Sequence, residues 1–118
     1  MSEFHEPPEE LTPETRDYRR ALNSLMEELE AIDWYQQRID ATKDEQLKKI
    51  IEHNKQEEME HAAMVLEWLR RNMDGWDEKL KTYLFTEEDI TELEDEDNDG
   101  GSGSTPVNSK GLNIGKIE

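Results

Sequence analysis

Two apolar stripes at helical spacing, separated by a few polar residues, set the limits on what this chain can fold into. From Tyr18 through Leu22, Leu25, Leu29 and Ile32 to Ile39, apolar positions recur at intervals of three, four and seven. That spacing traces one face of an α-helix, to about Asp40, and lacks the alternation of a strand. A second stripe runs through Leu47, Ile51, Ala62, Val65 and Leu69. Thr12-Pro13 supplies a start for the first helix, because Thr12 can cap and Pro13 at the first helical position loses no needed hydrogen bond. Thr42-Lys43-Asp44-Glu45 reads as a capping box opening the second, and Asn72 to Gly75 as its stop. The connection around Asp40–Lys43 is short enough that the helices must run antiparallel. Trp76 to Phe85 predicts a short third helix, with Trp76, Leu80, Tyr83 and Leu84 on one side.

Two long helices cannot enclose a core by themselves. Of 118 residues only 32% are hydrophobic and 38% are charged, a thin interior for one small domain. The stripe on each hairpin needs a partner, and a two-fold pair of hairpins makes a four-helix bundle. The fold expected is therefore all-α: an antiparallel two-helix hairpin with a short C-terminal helix, dimerising into a bundle. Residues 12–86 hold that helical half-bundle. Residues 1–11, with Pro7, Pro8 and several glutamates, read as a flexible arm. Residues 87–110 read as a disordered linker, acidic first and then Gly/Ser-rich from Gly100 to Ser104.

The net charge is −17, and residues 87–99 alone carry nine acids and no base. A phosphate backbone would be repelled, which argues against nucleic acid as a partner. With no cysteine, disulfides, thiolate metal sites and cysteine nucleophiles are excluded. No signal-like stretch or membrane-length apolar run is present, so a cytoplasmic location without membrane contact is expected.

Within the second stripe stands a carboxylate. At 100° per residue Glu58 falls near the centre of the arc that runs from Leu47 to Leu69, with His61 about 60° to one side. A lone carboxylate there costs on the order of several kcal/mol unless it is paired, protonated or bound to a metal. On the first helix Glu28 lies at the edge of the stripe, between Ala21 and Tyr35. It stands about 12 residues before the turn and Glu58 about 15 after it, a difference in depth of less than one helical turn. Three potential ligands thus meet at one level. Carboxylates with a single imidazole suit iron or manganese better than structural zinc. The rival reading is an interface carboxylate paired with His61 or with a nearby Lys or Arg. A di-metal bundle site needs two Glu-x-x-His steps and two further glutamates, so one chain holds half a set. Glu27, Glu30 and Trp34 sit on the opposite face of the first helix, where Trp34 points to a second self-association surface. His53 points outward and His5 lies in the arm; neither is expected to be a ligand.

The stretches MEELEAIDWYQQR (Met26–Arg38), HNKQEEMEHAAMVLEWLRRN (His53–Asn72) and TYLFTE (Thr82–Glu87) closely resemble the encapsulated ferritins, in order and in spacing. The resemblance implies a hairpin subunit, with a ferroxidase centre formed where two subunits meet. By that resemblance Glu28, Glu58 and His61 would ligate iron, with Tyr35 beside them as a further catalytic residue. Glu27 and Glu30 match an exposed site where metal gains access, adjacent to Trp34. The family's assembly is a ring of five dimers, a homodecamer. The terminal GLNIGKIE, residues 111–118, resembles the peptide that docks such proteins on the inner wall of an encapsulin shell. Leu112, Ile114 and Ile117 would be its apolar anchors.

The expected function is thus oxidation of Fe(II) to Fe(III) by dioxygen at a di-iron centre, supplying iron for storage inside an encapsulin nanocompartment. The alternative is a non-catalytic acidic helical adaptor dimerising through the same stripe. A di-manganese or peroxide-reducing site is a narrower third reading.

Overall fold

The computed structural model describes residues 4–94. Its elements are a 3-10 turn, Pro8–Glu10, and three helices: α1 (Pro13–Ala41), α2 (Glu45–Asn72) and α3 (Trp76–Tyr83). All secondary structure among the described residues is helical. The chain divides into two compact units, Met1–Met73 and Asp74–Glu118, each described here by itself.

The first unit is the hairpin. At 29 and 28 residues, α1 and α2 are each about 43 Å long. Thr12 caps α1 as expected, its hydroxyl accepting from the Thr15 amide at 3.0 Å. The second start differs from the expected capping box. Thr42 is consumed by the end of α1, where its amide closes on the Arg38 carbonyl at 2.9 Å. Asp44 takes the capping role instead, its carboxylate accepting from the Leu47 amide at 2.8 Å. Thr42 supports it through a 3.2 Å bond from the Asp44 amide to its hydroxyl. Three residues therefore end one helix and begin the next, and α1 and α2 pack along each other.

Ile39, Ile51, Ala62 and Leu69 are buried. At the open end, the Tyr18 hydroxyl donates to the Asn72 carbonyl at 3.0 Å, and the Tyr18 ring meets Trp68 edge-on at 6.4 Å. Two members of the expected stripes depart from this seam: Leu29 is 53% exposed and Leu47 45%. Met26, Trp34, Ile50, Met59, Met64 and Trp68 are exposed with them. Relative to Glu28, Leu29 lies about 100° to one side and Trp34 about 120° to the other. Relative to Glu58, Ile50 and Trp68 lie about 80° one way and Met59 about 100° the other. Both flanks of the hairpin carry exposed apolar side chains.

The arm expected to be flexible is partly ordered. The Arg16 guanidinium donates to the Pro8 carbonyl, and the Arg19 guanidinium stacks over Phe4 at 4.5 Å. Two arginines in the first turns of α1 thus fold residues 4–11 back upon it.

In the second unit, Gly75 adopts φ 104, a left-handed conformation that suits glycine, and α3 begins at the next residue. The helix stops two residues short of the expected Phe85, which takes φ 62 and is 89% exposed. The acidic segment is not structureless from residue 87. Asp89 caps a further helical stretch, residues 90–94, accepting from the amides of Thr91 and Glu92 at 3.0 and 3.3 Å. The rest of the linker and the docking peptide 111–118 lie outside the described residues. No helix among the described residues is long and apolar enough to cross a membrane.

Candidate metal centre

Glu28 comes from the middle of α1 and Glu58 and His61 from the middle of α2. All three are held at intermediate depth, neither buried nor fully open. One turn of helix separates Glu58 from His61, and the His61 Nδ1 stands 3.7 Å from Glu58 Oε1. Across the hairpin Glu28 feels both of them. Burial pushes the Glu28 carboxyl above its usual range; the His61 charge opposes this, and Glu58 and Glu27 add to it. One oxygen, Glu28 Oε1, is shielded from solvent and has no hydrogen-bond partner. Buried acceptors are rarely left unpaired, and such an atom points to a group supplied from outside the chain.

The residues around the trio fall as follows. Tyr35, two turns beyond Glu28, is half-buried, with the Arg38 guanidinium over its ring at 5.6 Å. Glu27 and Glu30 are exposed, and Glu27 is steadied by Asn23, whose amide donates to it at 3.2 Å. Trp34 is 48% exposed and lines a shallow hollow with Gln37, Arg38 and Ala41, away from the trio. His53 is exposed, as the spacing predicted.

Sequence reasoning passed over Glu57. Its two oxygens lie 4.0 Å from His61 Nε2 and 3.8 Å from His53 Nε2, so each nitrogen of His61 faces a different carboxylate. The i,i+4 steps from His53 to Glu57 to His61 were visible and could have found it. Lys55 was also missed. Its side chain is only 14% exposed, and its ammonium lies 3.4 Å from Glu52 and 2.8 Å from the Gln36 amide oxygen.

Among the described residues, no three carboxylate or imidazole groups of the single chain are close enough together to hold a metal ion. The donors that do approach one another suit a hard divalent cation: oxygen-rich, with one nitrogen and no sulfur. A cation beside Glu28 would satisfy its unpartnered oxygen and offset the electrostatic cost that raises its proton affinity.

Residues 3–87 match the family described as EncFtn-like, encompassing both long helices and α3. The chain belongs to the EncFtn-like family. A protein of Thermotoga maritima named "Ferritin-like protein" is 64% identical over 103 residues, 87% of this chain and 90% of the relative. A protein of Rhodospirillum rubrum named "Encapsulated ferritin-like protein" is 50% identical over 121 residues, 97% of this chain and 86% of the relative. A crystal structure of a protein from Nitrosomonas europaea, 55% identical, superposes with a TM-score of 0.73, covering 75% of this chain and 98% of that one. The hairpin is thus the EncFtn-like fold, and the resemblance seen in the sequence holds at the level of family.

Proposed function

We propose that this EncFtn-like chain is a ferroxidase whose centre is assembled from two copies. Fe(II) is the substrate. Glu28, Glu58 and His61 of one copy, with the same three of a second, would hold two Fe(II) ions across a two-fold axis. Each of the two ions would give one electron to a dioxygen molecule, which takes up two protons from water and departs as hydrogen peroxide, while the iron leaves as Fe(III) for storage. The carboxylates favour the product, because their negative charge stabilises the higher oxidation state. Tyr35 borders the site, while Glu27 and Glu30 would gather cations on the exposed flank near Trp34.

The observation that carries this reading is the unpartnered Glu28 Oε1, on a carboxylate that interacts electrostatically with Glu58 and His61 across the hairpin. The incomplete donor set of a single chain and the apolar flanks of α1 and α2 support a second copy. Apolar groups on two flanks ask for two contacts, consistent with the ring of five dimers that the resemblance implies. An open ring encloses no storage cavity, so the iron would need a shell to hold it. The name of the Rhodospirillum relative supports an encapsulin compartment as that shell, and therefore as the location. Glu58→Ala is expected to abolish rapid Fe(II) oxidation, followed by stopped-flow absorbance. Unchanged kinetics would remove the ferroxidase reading.

The exposed apolar flanks also favour self-association without metal, as a non-catalytic adaptor would show. Native mass spectrometry separates the two: an adaptor assembles alike in chelator and in iron and oxidises nothing above background.

A further inference from the structure

The hairpin carries one polar bridge at the exposed edge of its seam, between the turn and the candidate centre. The Lys55 ammonium, on a side chain 14% exposed, donates at 2.8 Å to the Gln36 side-chain oxygen on the opposite helix. Both ends are anchored: Gln36 Nε2 donates at 3.1 Å to Asp40, and Lys55 lies 3.4 Å from Glu52. A second cross-helix bond, from Tyr18 to the Asn72 carbonyl, lies at the open end. The level of Glu28, Glu58 and His61 falls between the two. The short turn fixes the register of the helices at one end, and with distance from it apolar contacts of Leu, Ile, Val and Ala constrain axial position less sharply than a directional bond would. A directional hydrogen bond from Lys55, whose side chain is largely buried, to the exposed Gln36 adds that constraint.

We propose that Lys55 and Gln36 form a register latch, fixing the axial position of α1 against α2 so that Glu28 stays level with Glu58 and His61. Lys55 is a positioning residue and touches no metal: at 100° per residue it lies about 60° from Glu58, on the side away from His61. Its charge acts against any cation at the centre. That opposition gives the proposal a signed test, which rests on the metal centre proposed above.

Co(II) serves as the probe, titrated into the full-length chain at fixed concentration and followed through its visible absorption bands. Urea unfolding of the metal-free chain is measured in parallel. Coulomb repulsion alone predicts that Lys55→Met binds Co(II) more tightly, since a positive charge is lost. The latch predicts the reverse: about tenfold weaker binding, the scale found when residues that orient metal ligands are removed. Gln36→Leu, which leaves the charge of the pair unchanged, should weaken binding alike. The double variant should be no worse than either single one, because both break the same bond. Lys55→Arg, which can still reach Gln36, should restore affinity. Tighter or unchanged binding in Lys55→Met overturns the latch, as does a loss that merely follows the urea midpoint. Failure of the unaltered chain to bind Co(II) overturns the metal centre itself, and the latch with it.

Discussion

Glu28 is the residue at which folding and binding pull in opposite directions. Its carboxyl is held above the ordinary range chiefly by burial, with Glu58 and Glu27 adding repulsion. A group whose proton affinity rises on folding favours the native state at low pH, and that favour is lost as pH rises through its folded pKa. At neutral pH the ionised Glu28 therefore opposes the metal-free fold. Glu28→Gln should stabilise the metal-free chain at pH 7 while weakening Co(II) or Fe(II) binding. The gain should fade below the ordinary glutamate range, where both forms are neutral. Urea unfolding at pH 4 and pH 7 checks this, and equal effects at the two pH values would contradict it. Glu67, on α2, is the counter-example. Its exposed carboxylate bonds to Arg70 and Arg71 at 2.8 and 2.6 Å and is lowered to about 2. Its contribution is present above the ordinary glutamate pKa and disappears as pH falls toward 2.

At the scale of elements, the helices were legible because period and caps agree. Pro13 and Thr12 mark the start of α1, and the apolar spacing carries α1 and α2 to their observed ends within a residue or so. That Glu28 comes level enough to interact with Glu58 and His61 was legible too, since counting residues from a tight turn is counting ångströms along an axis. The capping residue of α2 was not, because Thr42 and Asp44 both have capping chemistry. The choice between them depended on where α1 released its last amide. Asp44→Ala should accordingly cost about 1 kcal/mol in hairpin stability, whereas Thr42→Ala should cost less. Comparable losses in thermal or urea unfolding would put the cap back at Thr42. Leu29 and Leu47 expose a different limit. A stripe wider than one contact does not say which part meets the neighbouring helix and which awaits another molecule. The ordered arm and the helix capped by Asp89 were missed because acidic, proline-containing segments look solvated unless the groups that pin them are seen. Arg16 and Arg19 perform that pinning from within α1.

At the scale of the whole molecule, apolar residues on both flanks of a two-helix layer are difficult to leave in water. Leu29, at 53% exposed, lies on the flank of α1 away from Trp34. Leu29→Lys should lower the assembly's mass in analytical ultracentrifugation while leaving helix content by circular dichroism intact. An unchanged mass would free that flank from any role in association. Removal of residues 111–118 should abolish co-purification with an encapsulin shell without altering Fe(II) oxidation, and persistence of the association would reject the docking role. Membership in the EncFtn-like family was legible from three short stretches, because residues held at fixed depth in a hairpin leave little freedom in spacing.

The single chain's incomplete donor set has a kinetic consequence. If a second copy supplies the other half, the number of working centres rises with the square of chain concentration when chains are dilute. It becomes linear only once pairs saturate. Confinement in a small volume would then do more than retain the product. It would act as an amplifier, keeping the chains where every one of them is paired, and a molecule that escaped would fall silent by dilution alone.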